Sequence, residues 1–170
     1  MLDVSAPRHD AVLRWLARVA VLGLGADEAC VLGFDADGGP RLVHCTGPRA
    51  REAEQWQEQA CRGPAVTAAA YGQVLTVPDW HVDRRDPGVR VRALLGGLRS
   101  VTAVPIGAQG RVESVIDLWW QRPAALTAAQ QAAIAHLRST AGAELEISAQ
   151  RDAADRAREG LESGAIRVDR

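Results

Sequence analysis

The sequence predicts an α+β fold. A central antiparallel sheet carries helices packed on one face, with the first and last helices side by side. Three observations lead there. Hairpin signals sit toward both ends of the chain, Asp37-Gly38 and the turn at residues 107–110, and paired hairpins favour an antiparallel sheet over a doubly wound one. Amphipathic helical patterns open and close the chain. At 170 residues, 47% apolar and 24% charged, the chain is one domain that buries roughly two-thirds of its unfolded surface.

Ser5-Ala6-Pro7 reads as a helix start, with Pro in the first turn. Val12, Leu13, Leu16, Val19 and Ala20 then recur at helical spacing, and Gly23 or Gly25 ends the helix. Residues 29–34 and 41–45 are short strand-like runs around Asp37-Gly38. If those two residues form the turn, Cys30 lies opposite Cys45. Residues 49–61 read as a polar helix carrying Trp56, broken by Gly63-Pro64, and residues 65–71 as a second helix stopped by Gly72. A strand follows at 74–77, then an irregular loop at 78–87, a helix at 89–95 closed by Gly96-Gly97, and strands at 100–106 and 111–120. Thr127 and Gln130 fit a capping box. The last helix carries a stripe of Ile134, Leu137, Ala141, Leu145 and Ala149 and extends past Gln150. Residues 1–150 form the expected domain; residues 151–170 are a charged helical extension or a disordered tail.

Net charge is −1, which argues against a nucleic-acid clamp or a polybasic membrane anchor. All 20 basic residues are arginine. Schiff-base lysines, phosphate-loop lysines and lysine general bases are thereby excluded. The one Phe and one Tyr leave an aliphatic core, in which each of five Trp needs a place. The three cysteines show no CxxC spacing, so no metal site is expected. The N-terminus lacks a signal-peptide core and no run is long enough to span a bilayer. A reducing cytoplasm, with the thiols mostly free, is the expected setting.

Residues 63–79, Gly-Pro-Ala-Val-Thr-Ala-Ala-Ala-Tyr-Gly-Gln-Val-Leu-Thr-Val-Pro-Asp, resemble the stretch of a GAF sensory domain in which a short helix runs through glycine into a strand ending near aspartate. Residues 98–106 resemble its next strand, with the apolar-Pro-apolar ending at Val104-Pro105-Ile106, and residues 110–119 the strand after that. Residues 126–145 resemble the closing helix. The likeness covers about residues 10–149 and is nearest to GAF domains of actinobacterial signalling proteins. It implies a GAF/PAS-like sheet, a small-molecule-sensing or regulatory role in signal transduction, and a homodimer formed through the terminal helices or a signalling partner protein. The chain departs from the family pattern at Glu113-Ser114, where an apolar residue and glycine are usual. The cyclic-nucleotide signature needs a lysine that is absent. No cysteine falls between Pro78 and Ile106 to attach a bilin.

The loop supplies Asp79, Trp80, His81, Arg84 and Arg85, groups of both signs around one indole, as a lid over a small ligand. Thr102, Asp117 and Trp119 on the neighbouring strands complete the candidate ligand-binding set. Arg84, Arg85, Arg90 and Arg92 flank it, and their planar forks suit an anion. His81 is the histidine nearest this loop, and none of the four shows ligand spacing. No motif joins a nucleophile, base and orienting group, so no catalytic residue is assigned. The residues name no cofactor and no ligand. Two alternatives accompany the sensor reading: a redox enzyme of the free methionine sulfoxide reductase type using Cys30, Cys45 or Cys61, and a ligand-free dimerisation scaffold.

Overall fold

The computed structural model describes the backbone of residues 6–35, 37–108 and 110–165. The expected helix start at Ser5 and the tail at residues 166–170 lie outside the described residues. The order is α1 (Ala6–Leu24), β1 (Glu28–Phe34), β2 (Pro40–Cys45), α2 (Arg51–Ala60), α3 (Pro64–Tyr71), β3 (Leu75–Val77), α4 (Pro87–Leu95), β4 (Ser100–Ala108), β5 (Arg111–Trp120) and α5 (Ala128–Ala165). The five strands form one antiparallel sheet in the order β2-β1-β5-β4-β3.

Strand alternation sorts the core into two layers. Ile116, Leu118 and Trp120 join Val31, Val104 and Ile106 against Leu13, Leu16 and Ala20 of α1 and Ala141 and Leu145 of α5. On the other face Trp119, Val101 and Cys30 pack with Ala53 of α2 and with Val89 and Ala93 of α4, while Val115 and Ala103 meet Ala65 and Ala68 of α3. Helices therefore cover both faces, where the sequence placed them on one. The central strands β1, β4 and β5 carry apolar side chains in both alternating rows, and each row needs a cover. The first and last helices do pack together.

The first hairpin reaches its expected register by another route. Asp35 O accepts from Gly38 N at 3.1 Å, Asp35 N donates to Gly39 O at 3.1 Å, and Gly38 takes a φ of 82°. That is a three-residue loop with a left-handed glycine, not a two-residue turn on Asp37-Gly38. Its pairing puts Leu32 opposite Leu42 and Gly33 opposite Arg41; a bulge between Val31 and Leu32 then moves the register by one, so Cys30 faces Cys45. The two cysteines form a disulfide, which corrects the expectation of mostly free thiols. Directly opposed side chains on one face bring the sulfurs together. Cys61, at the end of α2, is exposed and free.

Two caps fix helix positions. The Glu28 carboxylate on β1 accepts from Arg49 N at 3.2 Å and Ala50 N at 3.0 Å, supplying acceptors and negative charge to the start of α2. The capping box at α5 forms as expected, Gln130 N donating to Thr127 Oγ1 at 3.2 Å and Thr127 N to Gln130 Oε1 at 3.0 Å. Gln130 Nε2 also donates to Leu24 O at 2.9 Å, tying α5 to the end of α1.

Candidate functional site

The site lies where α2 meets the inner face of β5. Ala50, Ala53, Glu54 and Gln57 are all buried, at the i, i+3, i+4, i+7 spacing of a core-facing stripe, so two polar side chains take core positions. Their partners come from β5. Trp119 Nε1 donates to Glu54 Oε1 at 2.6 Å. The Gln57 amide donates to Glu54 Oε2 and to Asp117 Oδ2, both at 2.9 Å. Its carbonyl accepts from Ala65 N at 2.9 Å, at the start of α3. Gly63, with φ 135°, makes room for it: a Cβ there would run into Gln57 Oε1. Asp117 Oδ1 is buried without a hydrogen-bond partner.

Two fully buried carboxyls in one cluster do not both ionise readily. Burial, and then the neighbouring Asp117 charge, raise the Glu54 carboxyl well above its ordinary range. Burial pushes Asp117 up to about 6, opposed by hydrogen bonds from Gln57 and Glu54. Both directions favour a proton at the pair, and the neighbouring Asp117 charge favours Glu54 as its carrier.

Trp80 closes the cluster from the loop side. Its ring is buried and stacks on Trp119, centroids 6.4 Å apart and planes 22° apart. Its backbone is held at both ends: Trp80 N donates to Arg99 O at 2.7 Å, and Arg90 Nε donates to Trp80 O at 2.7 Å. Beside it Asp79 accepts a two-pronged bond from Arg99, at 3.0 and 2.7 Å, and one from His81 N at 2.9 Å. The Arg99 bond, with help from the His81 N–H, holds the Asp79 carboxyl down to about 2.

Of the residues expected to line the site, Trp80, Asp117 and Trp119 come together and Asp79 anchors the rim. His81, Arg84 and Arg85 are exposed, and Arg85 pairs with Asp83. Thr102 is buried on the opposite face of the sheet, paired in register with Leu118 and bonded to Thr76 at 3.1 Å. The Trp80 and Trp119 rings are both fully buried and stacked on one another. Of the flanking arginines, Arg84 is exposed and the other three have partners. Arg90 is spent on Trp80, and Arg92 donates to Gly88 O at 3.1 Å and lies 5.6 Å from the Trp56 ring centroid. The interior of the site is acidic instead. Glu54 and Gln57 were missed because residues 49–61 read as a polar helix; the stripe from Ala50 to Gln57 was the available signal. Among the described residues no group of three or more His, Cys, Asp or Glu is arranged to hold a metal.

The architecture is similar to that of several solved structures. A domain of a protein assigned as a two-component sensor histidine kinase from Sinorhizobium meliloti 1021 superposes with a TM-score of 0.66 at 18% identity, covering 88% of this chain and 95% of that one. The GAF domain/HD domain protein from Geobacter sulfurreducens gives 0.64 at 21% identity, covering 84% and 94%. The GAF domain of a two-component sensor histidine kinase from Bacillus halodurans gives 0.62 at 11% identity, covering 84% and 96%. At such identities the likeness is one of fold. No curated protein matches the sequence. The sequence model of the GAF domain matches residues 8–145, most of the chain. With that match and the antiparallel sheet between two helical layers, the chain belongs to the GAF domain family.

Proposed function

We propose that this GAF domain is a sensory or regulatory module of signal transduction that captures a small molecule between the sheet and segment 78–91. Signal then leaves through α1 and α5, to a second copy of the chain or to a partner protein. The supporting observation is the buried polar cluster of Glu54, Gln57, Asp117 and Trp119 beneath the Trp80 segment. A packed core of purely structural purpose gains little from two buried carboxyls. Capture displaces the Trp80 ring, because that ring is buried against Trp119.

The dimer reading draws on a groove of about 350 Å³ between α1 and α5, lined by Trp15, Leu16, Val19, Ala133, Leu137 and Thr140. Trp15 is 55% exposed and Leu22 85%. Apolar surface on two adjacent terminal helices suits a two-fold contact. No helix among the described residues is long and apolar enough to cross a membrane. The cytoplasmic setting we propose rests on the sequence alone, and the Cys30–Cys45 bond runs against it.

The scaffold alternative is favoured by the buried Trp80–Trp119 stack, and the redox alternative by the Cys30–Cys45 bond. Both sulfurs of that bond lie in buried residues, and Cys61 stands apart on the surface. Assaying free methionine sulfoxide reduction with all three cysteines changed to Ser decides the redox case; an activity that falls with the thiols supports it. For the sensor, soaking purified protein in metabolite mixtures and reading Trp fluorescence is the direct trial. A saturable change that is lost in Asp117→Leu supports capture at this site, and a flat response favours the scaffold.

A further inference from the structure

We infer that Glu54 and Asp117 form a proton-binding site that pins α2 to the sheet and lets go when its proton is lost. The inference rests on a count of donors and charges and holds whether or not a small molecule enters. Four carboxyl oxygens meet at the contact. Three protein hydrogens reach them: one from Trp119 Nε1 and two from the Gln57 amide. Asp117 Oδ1 is left without a partner. Both residues are completely buried. A carboxylic proton on Glu54 supplies the missing donor and removes one of two buried negative charges, which no solvent otherwise offsets.

Among the described residues, no cation on the surrounding elements replaces that proton. On α2 itself Glu58 accepts from Leu42 N. From β1 comes Glu28, another acid, already bound to the first N–H groups of α2. On β2 Arg41 reaches Asp10, and His44 pairs in register with Val31, whose side chain faces α1 and α5. The α4 arginines are spent, Arg90 on Trp80 O and Arg92 on Gly88 O, and Arg99 is paired with Asp79. Helix α3 and strand β4 contribute no charged side chain, and Ala103 of β4 lies opposite Asp117. Cys30, also opposite Asp117, is in a disulfide and does not titrate.

Loss of the proton to buffer leaves two adjacent anions at the α2–β5 contact. The sign follows from linkage. Both acids are held above their unfolded values, so their contribution is full below about pH 4 and declines as pH rises through the folded values. Rising pH therefore loosens α2, and with it the start of α3, which Gln57 holds through Ala65 N.

Two indoles on one strand provide the test. Trp119 Nε1 bonds to Glu54, whereas Trp120 Nε1 bonds to the neutral Gly25 O at 2.9 Å. In ¹H–¹⁵N spectra recorded from about pH 5 to pH 9, a span that covers raised carboxyl values, the Trp119 indole signal moves and the Trp120 signal does not. Glu54→Gln abolishes the movement and flattens the fall of the urea midpoint at alkaline pH. A Trp119 signal that stays fixed in the wild type overturns the proposal, as does one that moves unchanged in Glu54→Gln. Where Glu54→Gln does not fold, Asp117→Asn serves: it removes the like charge, so the Trp119 midpoint drops to lower pH, and an unshifted midpoint overturns the shared-proton account.

Discussion

Single residues of this domain act by filling one demanding position each. Gly63 sits at φ 135° against the buried Gln57 carbonyl. Gly63→Ala therefore combines backbone strain with a displaced buried amide and costs about 2–4 kcal/mol, read from urea unfolding. Glu28 holds two backbone N–H groups ahead of α2, and Glu28→Ala is expected to cost about 1–3 kcal/mol by the same measurement. Asp79 titrates in the opposite sense to the buried pair. Its carboxyl is held at about 2 by Arg99, so its contribution is present above the ordinary carboxylate value and is lost as pH falls toward 2. Asp79→Asn should flatten the acid limb of the stability profile while leaving the alkaline limb unchanged. Asp79, Trp80, Asp117 and Trp119 were legible as candidates because loop composition and strand alternation mark them. Glu54 and Gln57 were not, since a polar residue on a helix signals solvent until its stripe is read together with Ala50 and Ala53.

Elements were legible wherever a stop signal flanked a periodic run. Among the described residues, the five helices and five strands stand where glycines, prolines and apolar spacing put them. The facing of strands was harder. Alternation separates Thr102 from Val101 and Ala103, but it does not say which row meets which helices, and Thr102 fell on the α1–α5 side. In the first hairpin a three-residue loop and a bulge offset one another, leaving Cys30 opposite Cys45 as a two-residue turn would have done. The resulting disulfide links residues 15 apart in sequence. Closing such a loop limits the unfolded chain, so reduction, or Cys45→Ser, should lower the unfolding free energy by about 3 kcal/mol. Comparing urea curves with and without reductant checks this; coincident curves would show that the bond contributes nothing in solution.

At the scale of the whole molecule, two layers of helix divide the work. The layer of α2, α3 and α4 covers the acidic cluster, and the layer of α1 and α5 carries the apolar groove. Composition pointed to arginines awaiting an anion, but Arg90 and Arg92 are engaged in holding the Trp80 segment and α4, and Arg85 is paired with Asp83. Arginine density alone carries no information about which guanidinium groups are already paired. If the terminal helices form the dimer, Trp15→Glu together with Leu22→Glu yields monomer by light scattering, with monomer stability within about 0.5 kcal/mol because both side chains are exposed. The claim that matters most is that this domain holds a small molecule beneath Trp80 and reports it through a dimer. Native mass spectrometry of the protein as purified tests both parts at once. The account predicts a dimer carrying added mass that is lost on denaturation and missing from Asp117→Leu. A bare monomer, with no added mass in any charge state, would contradict it.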